Sequence, residues 1–248
     1  MTNGSDLPGT SLKVIAFDAD DTLWDCQSHF EAVERRLYEL LSPWCSAPEA
    51  AKALFATERD NMAALGYGSK AFTLSVLETA LGASHGQMAQ PALAELLALG
   101  KSLLSMPATP LPGVAATLGR LRSRWRNAGG GRQMVAFTKG ELQEQENKFH
   151  RSGLEPMFDH IEIVSAKGEA ECRALCAKLG VRPEELLMVG NSFKSDIDPA
   201  LAAGAWAAYV PFHVTWQLEH SEEYDHERLF RLSSFSDLLK LIWPHPSE

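Results

Sequence analysis

The chain has 248 residues and a formal net charge of −9, with 23 Lys and Arg against 32 Asp and Glu. Hydrophobic residues make up 45% and charged residues 22%, which is typical of a globular protein and excludes extended disorder. The acidic balance disfavours a protein that coats nucleic acid or binds an anionic membrane, because both would repel it. A small phosphorylated ligand stays compatible with this charge, since it needs only a few local cations.

The sequence predicts neither a membrane-spanning segment nor a secretory signal. No apolar run approaches the roughly 20 residues that cross a bilayer. The N-terminal residues MTNGSDLPGTS are polar and lack a basic region followed by an apolar one. The four cysteines form no C-x-x-C motif, and we interpret them as reduced thiols. These features predict a cytoplasmic protein and leave its oligomeric state open.

The first predicted element is a short buried strand at 12–17 (LKVIAF), which ends at once in a polar cluster. From about Gln27 to Met106, Ala, Leu and Glu dominate and apolar residues recur at helical spacing. Breaks occur near Ser42, in Gly66–Ser69 and in Gly82–Gly86. This stretch therefore predicts about four helices with no strand between them.

A proline-rich segment at 106–113 (MPATPLPG) predicts a linker or hinge, and beyond it strands alternate with helices. The predicted strands are 133–138, 160–165, 186–190 and 206–211, and the predicted helices are 114–125, 141–151, 168–179 and 196–203. Parallel neighbours need crossover connections, so this alternation predicts an α/β fold with a doubly wound, Rossmann-like parallel sheet.

The predicted architecture is a split α/β core, 1–26 and 107–248, with an all-helical domain, 27–106, inserted directly after the first strand. Beyond Pro211 we expect a surface loop that leads to a last strand and helix near 229–242. Five His and Cys residues in the second half of the chain are not predicted to bind a metal, because the histidines are irregularly spaced and the cysteines lack nearby histidines. They are His213, His220, His226, Cys172 and Cys176.

In an open α/β sheet, ligands bind beyond the carboxyl ends of the strands, and four predicted strands end in residues suited to chemistry. Asp18 and Asp20 follow the first strand, Thr138 ends the second, Lys167 follows the third and Asp196 the fourth. Paired carboxylates suit a nucleophile with an acid/base, or a magnesium site. Taken singly, Thr138 and Asp196 also fit helix caps and Lys167 fits a surface lysine. Because these residues follow one another at the carboxyl ends of four predicted strands, together they predict one active site.

The segment 17–23 (FDADDTL) resembles the first signature of the haloacid dehalogenase superfamily, an apolar strand followed by D-x-D-x-T. Thr138 is similar to the second motif of that family, Lys167 to the third, and Gly190–Asp196 to the acidic fourth. The resemblance covers essentially the whole chain, with 27–106 in the position of a helical cap of the C1 type. It implies a phosphatase-type hydrolase with an aspartate nucleophile.

The resemblance further implies a magnesium-dependent phosphohydrolase that acts on a small phosphorylated metabolite. Asp18 would attack phosphorus and form an aspartyl-phosphate, and Asp20 would protonate the leaving alcohol and then activate water. Thr138 and Lys167 would bind the phosphoryl oxygens. Asp18, the backbone carbonyl of Asp20, and Asp196 would hold Mg²⁺. Magnesium and lysine would offset the repulsion between a carboxylate and a phosphate dianion.

Two residues depart from the usual motifs of the family. Asn191 stands where the fourth motif usually has an aspartate, so its amide would orient a metal-bound water without adding charge. Asp196 would then carry more of the metal binding. Lys139 follows the threonine where many relatives have asparagine, and is either an additional phosphate-binding cation or a solvent-facing lysine.

The predicted cap contains a glycine-flanked loop at 65–70 (LGYGSK) between two helices. Candidate substrate contacts there are Arg59, Asn61, Tyr67 and Lys70, although each also fits a solvated surface position. The aromatic residues assigned to the core or the domain interface are Trp24, Phe30 and Phe72. A sugar phosphate, a nucleotide and a small organic phosphate all stay open as substrates.

Other functions of the same superfamily stay open as well. A carbon–halogen hydrolase would not need Asp20, because a halide leaves without a proton. A phosphonate-cleaving enzyme would need a cap lysine that forms a Schiff base, and nothing marks Lys52 or Lys70 as desolvated. A phosphomutase would close more tightly against water. A weakly active regulatory or binding homologue is favoured only by Asn191.

Overall fold

Six short strands form the centre of the protein in the computed structural model, which describes residues 11–243 apart from the side chain of Arg126. The polar segment 1–10, on which the signal prediction rests, lies outside the described residues. The strands are β1 (Val14–Phe17), β2 (Gln133–Lys139), β3 (His160–Val164), β4 (Leu186–Gly190), β5 (Trp206–Tyr209) and β6 (Leu229–Arg231). They form one sheet in the order β3-β2-β1-β4-β5-β6, and every pairing is parallel. The predicted α/β fold with a doubly wound parallel sheet is confirmed.

The sheet is buried on both faces because helices cover both sides, and this explains the continuous apolar run of β1. All four residues of β1 are buried. Ile15 and Phe17 pack on one face, while Val14 and Ala16 pack on the other. The helices of the core are α5 (Val114–Asn127), α6 (Leu142–Ser152), α7 (Glu169–Leu179), α8 (Asp198–Ala203) and α9 (Leu238–Ile242). Helices α5, α6 and α9 cover the first face, and α7 and α8 cover the second.

One helix differs from its prediction in a way that affects the site. The helix expected from Asp196 begins instead as a π-helical turn, Phe193–Ile197, and continues as α8. The amide of Ile197 donates to the carbonyl of Ser192 over five residues, at 3.1 Å. Pro199, in the first turn of α8, has no backbone N–H and could not donate to a carbonyl in a regular α-helix that began at Phe193. The wider π-helical turn before it accommodates this missing donor. This turn buries Asp196, which is 2% exposed.

Four helices separate β1 from the rest of the core, as predicted, and no strand interrupts them. They are α1 (Gln27–Leu41), α2 (Ala47–Leu65), α3 (Ser69–Ala83) and α4 (Gln90–Leu103), referred to below as the helical insert. The insert has a hydrophobic core of its own, built around Leu37, Leu54 and Val76. Over residues 11–243, no helix combines the length and hydrophobicity that crossing a membrane requires. The division at 26/27 and 106/107 stays a prediction.

The two connections between core and insert are packed together. The amide of Leu111 donates to the carbonyl of Leu23 at 2.8 Å, and Trp24 forms a bridge with Pro110. Asp21 adopts a φ of 62°, uncommon for a residue with a side chain, and its carboxylate accepts the backbone N–H groups that begin α1. Burial raises the pKa of Asp21 to about 7, although the two backbone hydrogen bonds act to lower it. The segment after β1 is therefore an ordered turn.

A close contact between α3 and α4, at Thr73 and Gly100, gives a stability prediction. A Cβ added at Gly100 would lie 2.3 Å from Oγ1 and 2.8 Å from Cβ of Thr73. We expect Gly100→Ala to lower the free energy of unfolding by about 1–3 kcal/mol, because the helices must separate. Gly82→Ala, in open space on α3, is the matched control and should stabilise by up to about 1 kcal/mol. Equal effects of both substitutions in urea denaturation would contradict the close contact.

Candidate active site

The carboxyl ends of the central strands bring three predicted site residues into direct contact. The register pairs Phe17 with Val189, so Asp18 follows β1 beside the end of β4. Nζ of Lys167 donates to Oδ1 of Asp18 at 2.5 Å and to Oδ1 of Asp196 at 2.7 Å. All three side chains are buried. One ammonium group thus lies between two carboxylates from neighbouring strands.

With both carboxylates ionised, this cluster carries one more negative than positive charge. Burial and the charge of Asp196 raise the pKa of Asp18 to about 7, although Lys167 acts in the opposite direction. Burial alone would lower the pKa of Lys167, but the two carboxylates outweigh it and raise that pKa. Lys167 is therefore a permanent cation here, and the site has room for further positive charge.

Asp196 is held against the backbone at the end of β4. A Cβ on Gly190 would lie 2.2 Å from Oδ2 of Asp196, so only glycine permits this position. The amide of Ser192 donates to the same oxygen at 2.9 Å. Asn191 lines the same cavity as Asp18, and its Oδ1 lies 3.0 Å from the hydroxyl of Thr22. That hydroxyl is also 3.1 Å from Oδ2 of Asp18.

The donor chemistry of this cluster fits a hard divalent cation. Asp18 and Asp196 offer two buried carboxylates with unbalanced charge, and oxygen ligands with retained waters are what Mg²⁺ prefers. Within the described part of the chain, no three His, Cys, Asp or Glu side chains are grouped around one point as a full protein cage would need. The two carboxylates are thus suited to a hard cation that keeps several waters in its coordination shell.

Asp20 lies beside this cluster in a network that the sequence analysis misses. Its carboxylate accepts from Nε1 of Trp24 at 2.7 Å, from Nε2 of Gln145 at 2.9 Å and from Nζ of Lys148 at 2.9 Å. Burial alone would raise the pKa of Asp20, but Lys148 and the other donors lower it. Gln145 also donates to Oγ1 of Thr138 at 3.2 Å. Asp20 is thus held as an anion in this arrangement.

Helix α6 ties the same network to the helical insert through Glu144. The amide and the hydroxyl of Ser69, at the start of α3, donate to the two carboxylate oxygens of Glu144 at 2.9 and 2.7 Å. Oε1 of Glu144 is also 3.5 Å from Nζ of Lys148. Glu144, Lys148 and Ser69 are all buried. One face of α6 therefore contacts both the insert and the carboxylate of Asp20.

The buried position of Glu144 leads to a second stability prediction. Glu144→Gln should lower the free energy of unfolding by about 1.5–3 kcal/mol, because charge-assisted hydrogen bonds to Ser69 are weakened and Lys148 loses a partner. Glu146→Gln, on the exposed face of the same helix, should change it by less than about 0.5 kcal/mol. Chemical denaturation of both variants measures the difference. Equal stabilities would mean that the contact with Ser69 contributes nothing.

Lys139 lies in an ion pair at the rim of the cavity. Its Nζ pairs with Glu219 and donates to Oγ of Ser195 at 2.5 Å. It also lies 4.4 Å from the ring centroid of Tyr67. Burial would raise the pKa of Glu219, but Lys139 and the neighbouring hydroxyls lower it. The structure thus places Lys139 against a carboxylate, and phosphate binding by Lys139 stays a prediction.

A cavity of about 160 Å³ extends from Asp18 and Asp20 into the helical insert. Of the four candidate substrate contacts, Asn61 and Tyr67 line it. Arg59 and Lys70 lie outside the lining, where they pair with Asp60 and Glu141. Thr138 lines the cavity as well, together with two aromatic residues assigned to the core from sequence, Phe30 and Phe72.

Two glutamates of the insert, Glu34 and Glu58, also line this cavity and are missed by the sequence analysis. Glu58 is only 9% exposed. Burial, with the charge of Glu34, raises the pKa of Glu58 to about 7. Burial likewise raises the pKa of Glu34. The end of the cavity away from Asp18 is therefore acidic.

The raised pKa of Glu58 predicts a pH-dependent stability. Below the unfolded-state pKa, both states are protonated and the group costs nothing. Above about pH 7 the folded state must hold a desolvated carboxylate, so Glu58→Gln should raise stability by about 1–3 kcal/mol near pH 8 and by little near pH 5. Asp60→Asn, an exposed change on the same helix, should show no such trend. Unfolding curves of both variants at the two pH values test this.

The parallel sheet, the helical insert after its first strand and the carboxylate–lysine–carboxylate cluster at its edge define a class of α/β enzymes with an acidic site. The profile of the haloacid dehalogenase-like hydrolases matches residues 12–204, and the chain belongs to that family. No curated protein matches the chain.

Solved structures agree with this fold. A haloacid dehalogenase-like family hydrolase from Xanthomonas campestris is 29% identical, with 96% of this chain and 93% of that chain covered and a TM-score of 0.81. The putative hydrolase YfnB from Bacillus subtilis, bound to magnesium, is 16% identical over 93% and 98%, with a TM-score of 0.64. L-2-haloacid dehalogenase from Xanthobacter autotrophicus, with chloropropionic acid covalently bound, is 18% identical over 93% and 98%, with a TM-score of 0.61.

Proposed function

We propose that this hydrolase is a magnesium-dependent phosphatase that cleaves a small phosphate monoester through an aspartyl-phosphate on Asp18. The observation that carries the proposal is the position of Asp18 at the floor of the cavity, in contact with Lys167 and beside a second carboxylate, Asp20. An alcohol leaving group needs a proton, and Asp20 is the group that supplies it. A halide needs none, so the presence of Asp20 favours phosphate ester over halide chemistry.

The reaction has two halves in which atoms and charges balance. In the first, a carboxylate oxygen of Asp18 bonds to phosphorus while the ester oxygen departs with the proton of Asp20. In the second, Asp20 removes a proton from water, the hydroxide oxygen bonds to phosphorus, and the bond between phosphorus and Asp18 breaks. Lys167 and the hydroxyl of Thr138 bind the phosphoryl oxygens and stabilise their charge.

Asp20 has to carry a proton in the first half of this cycle and be an anion in the second. The three donors from Trp24, Gln145 and Lys148 favour the anion, which is the form that activates water. Binding of a phosphate brings further negative charge next to Lys148 and raises the proton affinity of Asp20. Lys148 and Gln145 are therefore positioning residues that hold Asp20 within reach of the cavity.

Magnesium belongs to the proposal because the unbalanced carboxylates fit it. When bound, the ion would be held by Asp18, Asp196 and the backbone carbonyl of Asp20, with Asn191 orienting a metal-bound water. It would supply positive charge for the phosphoryl oxygens. The magnesium in the related structure of YfnB is in line with this assignment. Magnesium binding would depend more strongly on Asp196 in this protein, since Asn191 adds no negative charge.

Two further parts of the proposal are that the substrate is a small phosphorylated metabolite and that the protein acts in the cytoplasm. The cavity of about 160 Å³ suits a small ester. In the described residues all four cysteines are free. Phosphonate cleavage would need a lysine of the insert in the cavity, and neither Lys52 nor Lys70 belongs to the described lining.

Assays with p-nitrophenyl phosphate and with 2-chloropropionate, each with Mg²⁺ and with EDTA, test the proposal. We expect phosphate release that depends on Mg²⁺ and no halide release. Halide release without phosphate release would identify a dehalogenase instead. Phosphate release that EDTA leaves unchanged would refute the metal assignment.

A further inference from the structure

The inner end of the cavity is built from three helices of the insert. Helix α1 contributes Phe30 and Glu34, which are four residues apart and so share one face of the helix. Helix α2 contributes Glu58, and α3 contributes Phe72. Trp216, from the loop after β5, lies at the same end and makes an edge contact with Tyr67. Two carboxylates and several aromatic rings thus surround one space.

Neither carboxylate forms a salt bridge within residues 11–243, and the only cation whose charge acts on Glu34 there is Arg35. Glu58 is more than nine-tenths buried, and it lines the cavity together with Trp216. Glu34 accepts the hydroxyl of Tyr38 at 3.1 Å. A buried carboxylate without a cation is costly, and the charge of each glutamate raises that cost for the other. A pair of this kind is expected where a ligand supplies the missing charge.

The lysines that line the cavity belong to the core, on β2 and α6, and not to the insert. The described lining contains two lysines and no arginine or histidine. Lys148 is paired with Asp20, and Lys139 with Glu219. The core side of the cavity therefore combines paired lysines with the carboxylates of the proposed phosphate site, whereas the insert side offers two carboxylates and aromatic rings with no lysine paired to them. The insert side thus suits a part of the ligand that carries positive charge.

We propose that the leaving group of the substrate carries a protonated amine, which Glu34 and Glu58 bind at the inner end of the cavity. The substrate class is then an aminoalkyl phosphate ester; the phosphate end of this assignment rests on the proposed function. An ammonium group forms charge-assisted hydrogen bonds with the carboxylates. It is also attracted to the faces of the aromatic rings of Phe30 and Phe72. A neutral or anionic leaving group would gain neither interaction and would leave the carboxylates unpaired.

Binding of phosphonates tests this inference without turnover, because their carbon–phosphorus bond is not cleaved by a phosphatase. Calorimetry with Mg²⁺ compares ω-aminoalkyl phosphonates of increasing chain length with n-alkyl phosphonates of the same length. For at least one length, we expect the amine to bind about tenfold more tightly or better. Glu58→Gln and Glu34→Gln should each remove most of this preference. Asp60→Asn, which deletes an exposed charge from α2, should keep it.

Equal binding of the amino and alkyl compounds to the unmodified protein would overturn the inference without any variant. So would a preference that survives both glutamine substitutions. The outcome is separable from that of the proposed function. An amine preference in a protein that releases no phosphate would refute the phosphatase and support the amine site. Hydrolysis of p-nitrophenyl phosphate without an amine preference would support the phosphatase and refute the amine site.

Discussion

We expect phosphate release to fall by about 10⁴-fold or more in the Asp18→Asn variant, because an amide oxygen is a poor nucleophile and the proposed aspartyl-phosphate would not form. The same substitution removes one of two carboxylates that repel each other around Lys167. Burial and Asp196 already raise the pKa of Asp18, which means that its charge is costly in the folded state. The inactive variant should therefore be at least as stable as the unmodified protein in EDTA.

Two measurements on this variant separate lost chemistry from lost structure. Steady-state turnover of p-nitrophenyl phosphate with Mg²⁺ gives the first, and urea denaturation gives the second. Glu146→Gln, with the same loss of charge on an exposed face of α6, should retain full activity. Activity close to that of the unmodified protein would exclude Asp18 as the nucleophile. A large loss of stability would show that the charge of Asp18 holds the fold together.

The convergence of Asp18, Lys167 and Asp196 is predictable because the rule behind it is local. Each follows a strand that its apolar residues reveal, and the carboxyl ends of parallel strands meet at one edge. The order of the strands does not matter for this, since all exits face the same side. The four helices of the insert are predictable for a similar reason, because their apolar spacing and glycine breaks lie within single segments.

Residues whose position depends on docking between elements are not predictable in this way. Gln145 and Lys148 belong to a polar helix, and only the packing of α6 against the turn after β1 buries them. Phe149, buried next to Lys148, is the one sign in the sequence that this face is covered. Lys139 illustrates a second cause: adjacent residues of a strand point to opposite faces, so it lies away from the side chain of Thr138. There it meets Glu219, which is 80 residues further along the chain.

Lys167→Met should have the second large effect, because it removes the only side-chain cation within hydrogen-bond distance of both Asp18 and Asp196 among the described residues. Two buried carboxylates are then left without their partner, and breaking a buried pair from one side costs about 3–5 kcal/mol. We expect this loss in the free energy of unfolding near neutral pH in EDTA, together with loss of phosphate release. Methionine fills a similar volume, so the loss reflects charge rather than a cavity.

The matched control is Lys178→Met, which breaks the pair with Glu162 on the exposed side of α7. Surface pairs contribute about 0–1 kcal/mol, so this variant should stay near the unmodified stability. Mg²⁺ should restore part of the stability of Lys167→Met, because a divalent ion at the carboxylates replaces the missing charge, whereas it should leave Lys178→Met unchanged. A Lys167→Met protein as stable as its control in EDTA would mean that Asp18 and Asp196 are not both ionised in the folded state. The excess negative charge on which the magnesium assignment depends would then be absent.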